Sequence, residues 1–235
     1  MKAMILAAGR GERMLPLTKE APKPLLEVAG VSLLERHLIR LADAGFDQVV
    51  INVSHLGEQI VSFCGNGSRW GVSISFSREP EPLETAGGIA HALPLLGNQP
   101  FLVVNGDIYT DFPFEQLKGV MLTEAGAHLV LVPNPPHHPD GDFSFTERVG
   151  DQSGVSVGRL SMASGGDAML TYSGIGVYSP QMFEQVPEGV YPLRPLLEAA
   201  CADGRVSGQP YEGRWEDIGT PERLDALNQS LIIRS

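Results

Sequence analysis

Leu6-Ala7-Ala8-Gly9-Arg10-Gly11-Glu12-Arg13-Met14-Leu15-Pro16-Leu17-Thr18, with Pro22-Lys23-Pro24-Leu25 close behind, is the stretch on which the sequence turns. Lys2 to Ala8 is a short apolar run that reads as a buried first strand, and Gly9 and Gly11 follow at once. A glycine-rich loop after a strand lets backbone N–H groups face an anion, because glycine allows close approach and positive φ. Two common versions of such a loop do not fit. A dinucleotide fingerprint needs a third glycine where Met14 stands and a helix directly after it, but Pro16 intervenes. A P-loop needs Gly-Lys-Ser/Thr at its end, which is absent. What fits is a phosphate cradle with Arg13 as a fixed fork donor and Lys23 as a mobile point charge. Pro22 and Pro24 bracket Lys23 and restrict the backbone around it.

Charge points the same way. The chain carries 28 acids against 17 bases, a net charge of −11. Nucleic acid is therefore not expected as a partner, since such binding rests on phosphate neutralisation. Yet Met1 to Pro24 holds five bases and two acids, +3 inside an acidic protein. That local excess suggests a small anionic ligand; a solvated basic loop is the plain alternative.

The length of 235 residues suits a single domain over 1–235 with a substantial core. No apolar run approaches 18 residues, so no membrane span is expected. The start is too short and too quickly interrupted by Arg10 and Arg13 to read as a secretory leader. Two cysteines, Cys64 and Cys201, make neither a zinc cluster nor a disulfide framework, which suits a reducing, cytoplasmic setting. Nothing in one chain specifies an oligomeric state.

Outward from the loop, strands and helices alternate. Ser32 with Glu35 three residues later reads as a capping box before Leu33, Leu34, His37, Leu38 and Leu41 at helical spacing, ended by Gly45. Apolar or alternating runs at 48–53, 72–76, 101–104, 128–132 and 171–178 read as strands. Helices are expected at 57–64, from Gly87-Gly88 to Leu96, at 193–202, and at 221–232 behind Thr220 and Pro221. Wholly apolar strands between amphipathic helices predict an α/β fold. The sheet is expected to be Rossmann-like, mixed and mostly parallel, with helices on both faces. The polar stretch within 133–178 reads as a small antiparallel excursion.

Asn105-Gly106-Asp107 closes an apolar strand, where open α/β sheets bind ligands. A hard divalent cation such as Mg²⁺ prefers carboxylate, water and phosphate oxygens, so Asp107 is a candidate ligand, although Asn-Gly-Asp is also a common turn. Asp217 in Trp215-Glu216-Asp217-Ile218-Gly219-Thr220 is a second candidate or a cap. His137-His138 has too few ligands around it for a transition-metal site and reads as a structural or sugar-contacting loop. His55, His91, His128, Trp70 and Trp215 read as packing or surface residues.

The opening string, the strand ending at Asp107 and the Trp215–Thr220 segment together resemble the signature of the sugar-1-phosphate nucleotidyltransferases, the nucleoside-diphosphate-sugar pyrophosphorylases. The resemblance extends to Glu81-Pro82-Leu83-Glu84-Thr85-Ala86-Gly87-Gly88-Ile89, to Pro135-Pro136-His137-His138 with Gly141-Asp142-Phe143, and to Tyr172-Ser173-Gly174-Ile175. It implies that Ala8, Gly9, Gly11, Glu12 and Arg13 form a triphosphate loop and that Lys23 contacts phosphate. It implies that Glu84, Thr85, Gly87 and Gly88 meet the nucleotide, with Arg13, Lys23 and Asp107 carrying the catalysis; Asn105 is a candidate to bind nucleotide or substrate, or simply caps the strand end. Asn52, Asp142, Gly174 and Asp217 fall on the sugar side, and Asp107 and Asp217 hold Mg²⁺.

The implied reaction joins UTP and a sugar 1-phosphate. The resemblance is nearest to family members acting on N-acetylmuramate α-1-phosphate, which implies cell-wall (peptidoglycan) sugar recycling. Glucose 1-phosphate or mannose 1-phosphate with a uridylyl, thymidylyl or guanylyl donor is the neighbouring expectation, and a non-catalytic nucleotide-sugar sensor the distant one. Muramate carries a lactyl carboxylate, for which Arg148, Arg159 and Arg194 are candidate partners. The stretch from Gly150 to Asp167 is longer and more polar than the resemblance leads one to expect.

Overall fold

The structure is a computed structural model that describes residues 1–152, 155–162 and 169–232, with the backbone alone at 148–152 and 155–156. In chain order its strands are β1 (Ala3–Leu6), β2 (Glu27–Val28), β3 (Val31–Ser32), β4 (Gln48–Val53), β5 (Ser73–Arg78), β6 (Phe101–Asn105) and β7 (Ile108–Thr110). They continue as β8 (Ala127–Val132), β9 (Phe143–Gln152), β10 (Val155–Met162), β11 (Thr171–Tyr178), β12 (Val206–Pro210) and β13 (Trp215–Asp217). The helices are α1 (Leu33–Asp43), α2 (Gly57–Cys64), α3 (Glu84–Leu96), α4 (Arg194–Ala202) and α5 (Pro221–Ile232).

Among the described residues, nine strands form one mixed sheet in the order β5-β4-β1-β6-β11-β8-β12-β10-β9. One half, β5-β4-β1-β6, is wholly parallel. The other half is antiparallel except where β12 lies beside β8. The excursion expected within 133–178 is here the β9–β10 hairpin, which extends the main sheet at its edge, followed by β11, which enters its middle. Residues 153–154 and 163–168 of the long polar stretch lie outside the described residues.

Side chains alternate across the strands and so build two cores. Ala3, Ile5, Val49 and Ile51 face α1 and α2 through Leu34, Leu38, Leu41 and Ile60. Met4, Val50 and Val103 face α3 and α4 through Ile89, Ala92, Leu197 and Ala200. A third cluster joins Met14, Val28 and Leu33 to Ile218, Leu224 and Leu227, tying the opening loop to α5. Helix starts follow local chemistry. Ser32 accepts from the Glu35 N–H at the head of α1, but the Glu35 carboxylate accepts from Trp70 Nε1 (3.1 Å), so only one half of the capping box forms. Thr220 caps α5 through the Arg223 N–H.

Candidate active site

The register of the parallel half decides where chemistry gathers. Leu6 pairs with Asn52 on one side and with Asn105 on the other, so three strand ends finish side by side at one edge. The loop Ala7–Met14 leaves from the middle of that edge. It borders a cleft of about 650 Å³ that also meets Lys23, Glu84, Thr85, Asn105 and Asp107. This is the carboxyl edge where open α/β sheets bind ligands.

Within the loop, the N–H groups of Ala8, Gly9, Arg10 and Gly11 have no partner among the described residues, whereas Ala7 N–H donates to Asn52 Oδ1 (2.7 Å). The two glycines do different work. A Cβ on Gly9 would meet no atom within 4 Å, so its backbone is open to an approaching group. Gly11 has φ +63°, and a Cβ there would lie 2.9 Å from Thr18 Cγ2. Thr18 Oγ1 donates to Gly11 O (2.8 Å) and closes the loop on itself. Arg10 and Arg13 form no ion pair among the described residues. Free N–H groups beside two unpaired guanidiniums suit a polyphosphate.

Lys23 is buried between its two prolines, and its ammonium forms an ion pair with the carboxylate of Asp107. Asp107 is brought there by a turn in which Gly106 N–H donates to Leu6 O (2.9 Å). A two-stranded ribbon of β7 and β13 then places Asp217 opposite Ile108, with Ile218 N–H donating to Asp107 O (3.0 Å). Of the two candidate metal ligands, Asp107 lies in the turn before β7 and borders the cleft, whereas Asp217 lies on β13 beside that turn and does not border it. Asp217 Oδ2 accepts from Arg223 Nη1 (2.5 Å) and lies 3.4 Å from His137 Nε2. Burial and the Arg223 guanidinium lower the His137 ring below its usual range, against the pull of Asp217. Its Nε2 is then an acceptor for Arg223 Nη1 (2.9 Å).

The donor set fits a hard divalent cation in one particular way. Among the described residues no three His, Cys, Asp or Glu side chains gather to hold an ion unaided. Asp107 in the cleft, with Asp217 on β13 beside its turn, suits Mg²⁺, which is commonly held by one or two carboxylates with substrate phosphates and water.

Several residues expected at the ligand lie elsewhere. Gly87 and Gly88 are the fourth and fifth residues of α3 and do not border the cleft. A Cβ on Gly87 would stand 2.2 Å from Gly189 O, and the N–H groups of Ala86 and Gly87 both donate to Tyr191 O (3.0 Å). A Cβ on Gly88 would stand 2.7 Å from Glu79 Oε1. Both glycines thus serve close packing within the chain. Asn52 borders the cleft, but its amide is used internally, holding Ala7 with Oδ1 and donating to Glu79 Oε1 (2.7 Å) through Nδ2. Glu79 Oε2 accepts from Leu83 N–H (3.0 Å), and burial pushes its carboxyl above the usual range despite these bonds.

Asp142 also lies away from the cleft. It accepts from Tyr172 N–H (2.9 Å) and contacts His138 Nε2 (3.1 Å), fastening the 134–142 loop to β11. Gly174 (φ +80°) touches the cleft only through Asn105, whose Nδ2 a Cβ at 174 would meet at 2.6 Å. Of the candidate carboxylate partners, Arg194 pairs with Glu198 on the exposed start of α4, and Arg159 lies next to Gly204. The Arg148 side chain is outside the described residues. Sequence reasoning passed over Glu79, the Tyr191 clasp and Arg223. Neither Glu79, the first of three glutamates within 79–84, nor Tyr191 carries a sequence pattern that marks its contacts, while Arg223 follows Asp217 by six residues, close enough for an N-terminal helical turn to fold back on it.

A mixed sheet with a glycine-rich cationic loop at its carboxyl edge and Asp107 beside it suits an enzyme that handles nucleotide phosphates. The family model for nucleotidyl transferases matches residues 2–232, and the chain belongs to that family. A Neisseria meningitidis protein named N-acetylmuramate alpha-1-phosphate uridylyltransferase is 52% identical over 95% of both chains. A Caulobacter vibrioides protein of the same name is 34% identical over 94% of this chain and 92% of its own. A solved UDP-glucose pyrophosphorylase in complex with UDP-glucose shares the fold, with TM-score 0.77, 17% identity, and coverage of 100% of this chain and 99% of that one. Among the described residues no helix is long and apolar enough to cross a membrane.

Proposed function

We propose that this chain transfers UMP from UTP to N-acetylmuramate α-1-phosphate, giving UDP-N-acetylmuramate and pyrophosphate. We place the reaction in the cytoplasm, in the recycling of peptidoglycan sugars, within one domain spanning 1–235. The observation that carries this reading is the 52% identity over 95% of both chains to a relative named for that reaction.

In the proposed reaction a phosphate oxygen of the sugar 1-phosphate attacks the α-phosphorus of UTP. The new P–O bond forms as the bond from the α-phosphorus to the bridging oxygen breaks, and the electron pair leaves with pyrophosphate. The nucleophile is already ionised near neutral pH, so no side chain must remove a proton. Catalysis reduces to alignment and charge stabilisation. The free N–H groups of Ala8, Gly9, Arg10 and Gly11 cradle the triphosphate, with Glu12 on the loop between them and Arg13. Arg13 holds the departing pyrophosphate. Lys23 sits between Asp107 and the reacting phosphates and draws the two anions together.

Asp107 and Asp217 would hold Mg²⁺, which when bound supplies charge neutralisation and in-line orientation of the phosphates. Glu84 and Thr85 face the base and ribose, and Gly87 and Gly88 act behind them by packing. Asn105 meets substrate, backed by Gly174. Asn52 and Asp142 act as positioning residues, one for the phosphate loop and one for the sugar-side loop.

The test is pyrophosphate release with Mg²⁺. UTP, GTP, dTTP and ATP are each crossed with the 1-phosphates of N-acetylmuramate, N-acetylglucosamine, glucose and mannose. Selective turnover of UTP with N-acetylmuramate 1-phosphate is expected. Preference for another pair, or no release from folded protein with any pair, overturns the reading.

A further inference from the structure

The proposed acceptor carries a lactyl carboxylate that a neutral hexose lacks, and the cations near the cleft are unequally free to meet it. Lys23 is engaged by Asp107. Arg10 and Arg13 belong to the phosphate loop. Arg214 is held by Glu216 and Ser230 and lies over the Tyr109 ring. Arg223 is placed differently. It stands in the first turn of α5, at the junction of the cleft lip and the 134–142 loop.

Only one arm of its guanidinium is used: Nη1 bonds Asp217 Oδ2, Asp217 O and His137 Nε2. Nε and Nη2 make no bond within the chain among the described residues. Gly219 borders the cleft, and a Cβ there would lie 3.0 Å from Arg223 Nη2. Arg223 itself stands behind Gly219 and does not border the cleft, and the missing side chain at 219 leaves no Cβ between the two. Asp217 and His137 fix its plane, so its two remaining donors point as a set. That is the arrangement a carboxylate accepts bidentately.

Resting on the acceptor proposed above, we infer that Arg223 is the residue that recognises the lactyl carboxylate, through Nε and Nη2. It thereby selects N-acetylmuramate 1-phosphate over N-acetylglucosamine 1-phosphate. Asp217 and His137 preset its orientation, and Gly219 keeps its approach open.

The experiment measures kcat/KM for both sugar phosphates with UTP in the wild type, Arg223→Gln and Gly219→Ala. The wild type should prefer the muramyl substrate. A charge-assisted bidentate contact corresponds to roughly tenfold or more in that preference. Arg223→Gln should reduce the ratio by about that factor, chiefly through KM for the muramyl substrate. Gly219→Ala, whose Cβ would lie 3.0–3.1 Å from Nη2, Cζ and Nη1 and so crowd the guanidinium, should reduce the ratio in the same direction. This second variant decides the matter if Arg223→Gln does not fold. An unchanged ratio in both variants overturns the inference. Equal losses on the two sugars also overturn it and leave Arg223 as a support for Asp217. A wild type with no preference for the muramyl substrate overturns the proposed acceptor itself, an outcome visible before any variant is made.

Discussion

Lys23 and Asp107, separated by 84 positions in the chain, form an ion pair at the floor of the cleft, with the Lys23 side chain only 10% exposed and that of Asp107 33% exposed. The lysine arrives on a proline-bracketed turn and the aspartate on the turn after β6. Each neutralises the other at the place where phosphates are proposed to react.

Asp107→Asn should therefore do two things. Turnover should fall on the order of a hundredfold or more, as when one preorganised electrostatic group is removed from an active site. Stability should also fall, because the buried Lys23 ammonium loses its counter-charge. Breaking a fully buried pair costs several kcal/mol, but Asp107 is one-third exposed, so about 1–2 kcal/mol is expected. Pyrophosphate release and urea unfolding read the two effects separately. Normal turnover in the folded variant would sink the assignment of Asp107.

Mg²⁺ alone should scarcely change thermal stability. Both carboxylates already face cations, Lys23 and Arg223, and no third ligand from the chain stands beside them among the described residues. Mg²⁺ together with UTP at about a hundredfold over Kd should raise Tm by roughly 5–10 °C, from about 2.7 kcal/mol of binding linkage. A large shift with Mg²⁺ alone would show a metal site complete without phosphates. Chelation should abolish turnover while leaving Tm of the free protein unchanged.

Gly9→Ala and Gly11→Ala should part company. At Gly9 a methyl meets open space, so the fold should be unharmed or stabilised by a few tenths of a kcal/mol. KM for UTP should nevertheless rise, because the methyl occupies the approach to the free N–H groups. At Gly11 the positive φ and the 2.9 Å contact with Thr18 Cγ2 make the change destabilising by about 1–2 kcal/mol. Calorimetry with UTP titration distinguishes them; equal KM effects without any stability difference would contradict the two geometries.

His37 on α1 predicts an acid-side loss of stability. The ring is fully buried, neither nitrogen finds a hydrogen bond of good geometry, and desolvation drives its pKa down to about 4 against the pull of the Ile108 backbone and Asp107. The unfolded chain then binds a proton from about pH 6.5 downward, while the folded chain resists until about pH 4. Stability is present above that window and falls through it, by about 3 kcal/mol in total. Denaturant midpoints of the metal-free protein at pH 7 and pH 5, compared with those of His37→Leu, check this. An equal acid loss in the variant would place the effect elsewhere, for instance at His128, which burial also lowers.

The alternation of apolar strands with capped helices made the sheet and its two covered faces legible, because strand and helix periods are written residue by residue. Ser32 as a cap, Gly45 as a stop and Thr220 before Pro221 stand where local chemistry put them. The same holds for a loop of free N–H groups after β1, since only glycine and its neighbours decide that. The antiparallel half of the sheet was harder. The strand β12 reads as Val-Ser-Gly-Gln-Pro, with little apolar content, and it exists because β8 and β10 lie ready on either side.

What the sequence by itself determined, then, was the inventory and its order along the chain: the cradle, the lysine, two aspartates and the strands that end beside them. What only the tertiary structure decided was which groups meet. Gly87 and Gly88 face Gly189 and Glu79, and Asn52 spends its amide on Ala7 and Glu79. Asp107 pairs with Lys23, and Asp217 with Arg223. Such contacts depend on how elements far apart in the chain are brought together, and for Asn52 on β4 and Asp217 on β13 a register shift of one residue would turn the side chain to the other face.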